Sequence, residues 1–276
     1  MENKLIVVVG ATGNQGQSVI GKLIKQGYRV RALVRNPKSA KTTFDQSVEI
    51  FKGDLSDKSS LKLLLNNAHG LFFALPFTRS SIEYGKVLLD LAKESNVKHI
   101  VYSSVGGADR YTEVEHYKDK KQIENYLKRI NKPYTILRPV GYMETFANPK
   151  TIKVMTGMLS LYLKGDDRFQ LISVQDIGKF VSLSFSYPDK YLGKEMEIAG
   201  DELSLNEIFD KIDKIKNVKV SPMRFPKFTK YILPKVMKQM FTFYANDGWC
   251  ADINSLREEN SELLSFEDWL KTINSY

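Results

Sequence analysis

The stretch Leu5-Ile6-Val7-Val8-Val9-Gly10-Ala11-Thr12-Gly13-Asn14-Gln15-Gly16 joins an unbroken apolar run to three glycines at even spacing, and Val19, Ile20, Leu23 and Ile24 follow at helical spacing. An apolar run of that length that stops at glycine reads as a buried strand, and apolar positions recurring three and four apart form one helix face. Gly27 ends the helix, where a left-handed cap costs little. Glycines in such a turn let the chain reverse tightly, let the backbone approach a pyrophosphate and let the helix pack close to the strand, with its N-terminal amides aimed at the anion. The candidate phosphate-binding residues are therefore Gly10, Thr12, Gly13, Asn14, Gln15 and Gly16. Their spacing is G-x-x-G-x-x-G rather than the G-x-G-x-x-G of the commonest dehydrogenases. Ordinary tight turns imitate glycine spacing, so the reading rests on the strand before, the helix after and the alternation beyond.

That alternation continues. Strand-length apolar runs fall at residues 28–34, 48–51, 71–75, 98–102 and 134–137, separated by amphipathic stretches at 59–66, 82–95 and 115–130. The pattern predicts an α/β chain: a Rossmann-type, doubly wound parallel sheet of six strands over residues 1–150, and a smaller C-terminal α/β region for substrate or partner over 151–276, some elements of which pack back on the first domain. After Pro139 the rhythm breaks. Residues 141–170 show no strict alternation; Asp176 then opens a helix with Ile177, Phe180 and Val181, a short strand covers 196–199, and Ser204 or Asn206 opens another helix.

The chain has 276 residues, 42% of them hydrophobic, with a formal charge of +9 and a single cysteine, Cys250. Such a composition excludes disorder, and one cysteine excludes an internal disulfide, which fits a reducing compartment. No apolar segment approaches a spanning helix and the first one runs straight into a glycine turn, so the expectation is a soluble cytoplasmic protein, or a nuclear one in a eukaryote, with no membrane. From residue 3 to 44 there is no acid, while Lys4, Lys22, Lys25, Arg29, Arg31, Arg35, Lys38 and Lys41 are present, which favours an anionic ligand. A second basic block, 211–240, holds nine Lys/Arg against Asp213 alone. It is either a solvated face or a cleft rim that also docks an acidic protein partner, with its apolar residues mostly covering the cleft and its lysines outside. Pro222, Pro226 and Pro234 make it loops and short helices. No nucleic-acid-binding motif accompanies it.

The end of the second strand chooses the dinucleotide. An acid there would bind a ribose 2′-hydroxyl, whereas Val34-Arg35-Asn36-Pro37-Lys38 offers bases suited to a 2′-phosphate, so Arg35 and Lys38 predict NADP(H). Asp54 and Leu55 follow the third strand, where they could edge and cover an adenine. Leu75, Pro76 and Phe77 follow the fourth, either lining the cofactor groove or joining the core.

With these pieces the sequence resembles the NmrA-like family, an atypical branch of the short-chain dehydrogenase/reductase superfamily. The resemblance rests on Val9-Gly10-Ala11-Thr12-Gly13-Asn14-Gln15-Gly16, Leu33-Val34-Arg35-Asn36-Pro37, Gly53-Asp54-Leu55, Val101-Tyr102-Ser103-Ser104, residues 116–124, Pro133-Tyr134-Thr135-Ile136-Leu137-Arg138-Pro139, residues 172–178 and residues 265–270. It implies NADP(H) held in an extended cleft between a Rossmann domain and a smaller domain. Family members divide into NADPH-dependent reductases, quinone reductases among them, and cofactor-sensing regulators that bind protein partners.

Short-chain reductases use a Ser after the fifth strand and a Tyr-x-x-x-Lys on the next helix. Ser103 and Ser104 stand in the right place, and the helix offers His116 with Lys120 or Tyr117 with Lys121. His116, Lys120, Ile123, Leu127 and Ile130 share one arc, which places the first pair inward and Tyr117 and Lys121 away from it. The family pattern selects the same pair. The candidate catalytic groups are thus Lys120, His116 and Ser104, with Lys120 expected either to bind the nicotinamide ribose or to act as the base, and Ser103 beside the cofactor. Histidine in place of the acid tyrosine argues against ordinary carbonyl reduction; it either donates the proton or merely fills a polar corner. Quinone reduction suffers less, because the phenolate formed can be protonated by solvent. Pro139, Gly141 and Tyr142 leave the sixth strand toward the expected nicotinamide, and Tyr142, Met143 and Phe146 form either the substrate wall or interdomain packing. His69, His99 and His116 are too scattered for a metal site, and no nucleophile elbow or Walker loop occurs. The expectation is an NADPH-dependent oxidoreductase acting on quinones or similar small acceptors, the alternative a non-catalytic NADP(H) sensor that binds a protein.

Overall fold

A computed structural model describes residues 4–110, 113–246 and 248–273, and the chain forms two compact units that interleave along the sequence. The first comprises Met1–Val105, Lys118–Arg138 and Ile177–Met196, and the second Gly106–Tyr117, Pro139–Asp176 and Glu197–Tyr276. The division differs from the single boundary after residue 150 that the sequence implied. The chain passes between the units after Val105, Tyr117, Arg138, Asp176 and Met196.

The first unit alternates β1 (Leu5–Val9), α1 (Asn14–Lys25), β2 (Arg29–Val34), α2 (Pro37–Thr43), β3 (Val48–Lys52), α3 (Lys58–Leu64), β4 (Gly70–Phe73), α4 (Ser81–Glu94), β5 (His99–Ser103), α5 (Glu115–Arg129) and β6 (Tyr134–Pro139). Its sheet has the order β3-β2-β1-β4-β5-β6-β9, with β9 at Glu195–Ile198. β1 pairs in parallel with both β2 and β4, Val8 lying opposite Ala32 on one side and Phe72 on the other. Strand order therefore turns around β1, and in such sheets ligands lie beyond the carboxyl ends of the strands at that point. All five residues of β1 are buried. Ile123 and Leu127 of α5, with Ile130 just past its end, join Leu71, Phe73, Ile100 and Tyr102 in one core, as the helical arc required.

The sheet has seven strands where the sequence predicted six. The strand expected near residues 196–199 joins this sheet beside β6, with the Ile136 amide donating to the Lys194 carbonyl at 2.9 Å. Glu195-Met196-Glu197-Ile198 alternates as an edge strand should, but four residues with two charges give a weak signal.

The second unit holds β7 (Gly141–Tyr142), a 3₁₀ turn (Met143–Phe146), α6 (Pro149–Leu159), β8 (Arg168–Ile172), β10 (Asp201–Ser204), α9 (Leu205–Lys216), α10 (Thr229–Ile232), α11 (Lys235–Asn246), α12 (Ile253–Glu259) and α13 (Phe266–Thr272). A three-stranded sheet runs β10-β8-β7. The helix α7 (Val174–Ser186) begins in this unit and ends in the first, which also contains α8 (Pro188–Tyr191). α6 and β8 occupy the stretch without alternation. Four of the five residues of β8 are buried, and a strand covered on both faces cannot alternate. α7 starts at Val174, with the Ser173 hydroxyl accepting from the Gln175 amide at 3.1 Å, rather than at Asp176. Ser204, not Asn206, caps α9 through a reciprocal box with Glu207. Between α9 and α11 the basic block is irregular apart from α10, as its prolines dictate.

Candidate functional site

The glycine loop shows three different reasons for glycine. Gly10 has φ +84°, and a Cβ there would lie 2.6 Å from the Ala74 carbonyl oxygen; at Gly16 it would lie 2.2 Å from the Gly10 oxygen. Both positions are closed by the protein itself. Gly13 has ordinary φ of −76° and its Cβ would make only a 3.4 Å contact, so the fold alone tolerates a side chain there. Gly13 is also the N-cap of α1, with no side-chain cap and no acid in the first turn. An uncapped helix start with exposed Thr12, Gly13 and Asn14 in an acid-free stretch leaves its N-terminal amides open to an anion, and the bare Gly13 leaves room for one.

Beside it, Arg35, Lys52, Gly53, Asp54 and Asp57 line an open hollow of about 310 Å³ at the carboxyl ends of β2 and β3. Asp54 accepts from the amide and hydroxyl of Ser56 at 2.9 and 2.6 Å. Those bonds, and to a lesser extent Arg35, hold its carboxyl below the usual range. Asn36 caps α2 through the Lys38 amide, which sets exposed Lys38 in the first helical turn. The hollow fits an adenosine carrying an anionic group, with Arg35 and Lys52 for the anion and Asp54 as acceptor. Leu55 packs at the margin of the core, Leu75 is buried within it, and Pro76 and Phe77 are exposed.

At the end of β5 the two serines diverge, as successive strand residues must. The Ser103 hydroxyl donates to Gln15 Oε1 in the glycine loop at 2.7 Å, whereas that of buried Ser104 donates to Glu124 Oε1 at 2.6 Å. Ser104 is thus held by an interior carboxylate, and Ser103 is the serine on the loop side. Lys120 Nζ lies 3.4 Å from the Leu75 carbonyl, 3.3 Å from the Ser103 carbonyl and 5.4 Å from the centre of the Tyr102 ring. Burial lowers its ammonium to about 8, against the opposing pull of Glu124 and Asp119. A cation is therefore fixed where β4 and β5 end, beside the glycine loop.

Sequence reasoning missed the charge system behind Lys120. Glu124, wholly buried, takes two bonds from Arg138, at 2.9 Å from Nε and 2.8 Å from Nη2, and Lys121 stands 3.5 Å away. Both Glu124 and Arg138 lay inside the motifs, but nothing in their spacing paired an α5 acid with a β6 base.

In the second unit Tyr117 corrects the helical-arc argument, which turned it away from packing. It is 1% exposed, edge-on to Phe243 at 5.3 Å, with its hydroxyl toward Tyr244 and Trp249. The first turn of α5 is covered on a second side by α11, a contact that periodicity within α5 cannot show. His116 is half-buried against the Tyr117 ring. Trp249 packs on Gly106 and Gly141, where added Cβ atoms would lie 2.5 and 3.1 Å from its ring, and its indole nitrogen donates to the Gly106 carbonyl at 3.1 Å. Gly141 is therefore glycine because an indole covers it. Pro139 is buried and Tyr142 half-buried.

Met143 and Phe146 do not form a substrate wall. They are 0% and 2% exposed in the core of the second unit, Phe146 lying edge-on to Phe266 at 5.7 Å. Their 3₁₀ turn points them inward, which leaves Tyr142 of that trio near the surface.

The model of the NmrA-like family matches residues 2–270. The chain belongs to the NmrA-like family. This NmrA-like chain is 26% identical to the NmrA-like family domain-containing oxidoreductase malD of Malbranchea aurantiaca, over 97% of its own length and 96% of the relative's. Its fold is similar to that of the NADPH-dependent quinone oxidoreductase QOR2 of Escherichia coli, solved with NADPH (TM-score 0.79, 20% identity, 96% of this chain and 98% of that one). It is equally similar to NmrA, a negative transcriptional regulator solved with NAD (TM-score 0.78, 19% identity, 99% and 96%).

Proposed function

We propose that this NmrA-like chain is an oxidoreductase that binds a nicotinamide dinucleotide, prefers NADP(H) and reduces a quinone or similarly flat acceptor. The observation that carries the reading is Lys120, a half-buried lysine whose ammonium is set between two carbonyls at the ends of β4 and β5, beside an uncapped glycine loop. In the proposed complex the α1 amides and Gly13 hold the pyrophosphate, Arg35 with Lys38 and Lys52 holds the 2′-phosphate, and Asp54 with Leu55 borders the adenine. Bound NADPH supplies a hydride. Lys120 orients the nicotinamide end and offers positive charge to a reduced oxygen, and Ser103 keeps Gln15 in place beside it. Tyr117 supplies no acid, because it is buried with its hydroxyl toward Tyr244 and Trp249 in the second unit. An acceptor whose reduced form solvent can protonate needs none. The similarity to a quinone oxidoreductase among solved structures and to a fungal oxidoreductase supports the same reading.

The second reading, a cofactor-sensing regulator, draws on His116 at the acid position and on the regulator among the structural neighbours. NADPH consumption across a panel of quinones, aldehydes and ketones separates the two. Turnover with quinones supports the enzyme; tight NADPH binding with no turnover on any acceptor replaces it with the sensor.

A further inference from the structure

We propose that residues 223–238 form a foot that seats the second unit on an anionic lipid surface. Among the described residues of that unit, five large apolar side chains are exposed, and four of them, Met223, Phe228, Tyr231 and Ile232, fall within ten residues of sequence. Phe228, Tyr231 and Ile232 stand at i, i+3 and i+4 through the single turn of α10, so they share one face. They are 62%, 78% and 72% exposed, so they project from the surface instead of lining a hollow.

The turn that carries them is fixed. Tyr162 donates its hydroxyl to the Lys230 carbonyl at 3.3 Å while the Lys230 ammonium lies 4.4 Å from the centre of the Tyr162 ring, and Lys238 Nζ donates to the Tyr231 carbonyl at 2.9 Å. The Met223 amide bonds the Lys153 carbonyl of α6 at 2.8 Å. Leu233, the next residue, turns into the core of the unit. The outward apolar face is therefore built, and the core has no use for it.

Its surroundings are cationic without relief in sequence. Residues 214–246 contain eight Lys/Arg and no acid, and Lys227, Lys230 and Lys235 flank the exposed turn directly. Projecting apolar side chains ringed by lysines match the two requirements of reversible membrane attachment, shallow apolar insertion and attraction to anionic headgroups. A protein partner would need a pocket shaped for three large side chains, whereas a bilayer interface deforms around them. The attachment is to one leaflet, in keeping with the absence, among the described residues, of any helix long and apolar enough to cross a membrane.

Flotation of the full chain with vesicles tests this, using phosphatidylcholine alone and an equal mixture of phosphatidylcholine and phosphatidylglycerol. The expected result is binding to the anionic vesicles at least about tenfold above that to neutral ones, reduced about tenfold or more in both Lys227→Glu/Lys235→Glu and Tyr231→Ser/Ile232→Ser. These side chains lie outside the core, so melting curves should not change, and a Tyr231→Trp variant should shift its emission to the blue only with anionic vesicles. Equal binding to both vesicles, no binding, or binding unaffected by either double variant overturns the proposal. Retention on polyglutamate without vesicle binding also overturns it and assigns the surface to an acidic protein.

Discussion

Arg138 and Glu124 meet as a buried two-pronged ion pair, Nε to Oε1 at 2.9 Å and Nη2 to Oε2 at 2.8 Å, with neither residue more than 5% exposed. Arg138 Nη2 also donates to Glu195 Oε2 at 2.6 Å, and Lys128 donates to the other oxygen of Glu195 at 2.8 Å, so the network ties α5, β6 and β9 together. Removing Glu124 leaves the buried guanidinium to half-buried Glu195, a weaker counter-charge than the two-pronged pair. Glu124→Ala should therefore cost about 3–5 kcal/mol, read as a lower urea midpoint, and Glu124→Gln clearly less. Equal and small losses in both variants would mean that water relieves the stranded guanidinium.

The glycine loop gives a prediction in which stability and binding separate. Gly10→Ala and Gly16→Ala force a Cβ against backbone and should lower the melting temperature by several degrees. Gly13→Ala should leave melting within about 1 °C yet weaken NADPH binding about tenfold or more, because the room it fills belongs to the ligand. Calorimetry and melting on the same three variants check the pattern; unaltered affinity in Gly13→Ala would remove the pyrophosphate from this loop.

Arg35 should discriminate the dinucleotides. A charge-assisted contact to phosphate is worth about 1.5–3 kcal/mol, so Arg35→Ala should lose roughly tenfold to a hundredfold in NADPH affinity while NADH affinity holds. Wild-type protein that binds both equally in calorimetry would contradict the assignment.

Burial sets a pH limb for Lys120. Its ammonium is lowered to about 8 from an ordinary 10.5, so the folded protein holds the charge below pH 8 and loses it above. If the ammonium acts, kcat/KM should stay level below pH 8 and fall about tenfold per unit above it. Stability moves the opposite way: from pH 8 to 10.5 the unfolded chain binds the extra proton, so the Lys120 contribution becomes more favourable as pH rises. A rate that climbs through pH 8 would assign the neutral amine instead.

Glu144 offers a test in the second unit. Its Oε1 accepts from Ser173, the Val174 amide and Trp269, each at 3.1 Å, while burial, the dominant cause, raises its carboxyl above the usual value. The folded state then binds more protons than the unfolded one just above pH 4.5, and stability falls as pH rises through the raised value. Glu144→Gln keeps the accepting oxygen and should raise the melting temperature by about 2 °C or more at pH 8, with the gain disappearing near pH 4. A gain that persists at acid pH would point to packing rather than charge.

The sequence made the first unit legible because its local signals agree. An apolar run, a glycine turn and an amphipathic helix each predict their neighbour, and β1, α1 and the inward arc of α5 appear where periodicity put them. What failed depended on contacts distant in sequence. The seventh strand takes its identity from pairing beside β6, and β8 is hidden because both its faces are covered. Tyr117 is buried by Phe243, and Met143 and Phe146 are turned inward by a short 3₁₀ turn. Of the candidate site, the glycine turn at the start of α1 and the inward position of Lys120 were readable from motif and arc. The Glu124–Arg138 pair and the cover that Trp249 gives Gly141 were not, since each joins residues from separate elements. The basic block was read correctly as broken and cationic, but its apolar residues do not all turn inward: Phe228, Tyr231 and Ile232 face solvent.

The central claim, an NADPH-dependent reductase organised around Lys120, is tested most directly by NADPH consumption with a small naphthoquinone at pH 7, comparing the wild type with Lys120→Ala. The account predicts steady turnover in the wild type and a loss of about a hundredfold or more in the variant, with NADPH still bound by both proteins. Wild-type consumption no faster than the protein-free background, or turnover that Lys120→Ala leaves intact, would contradict it.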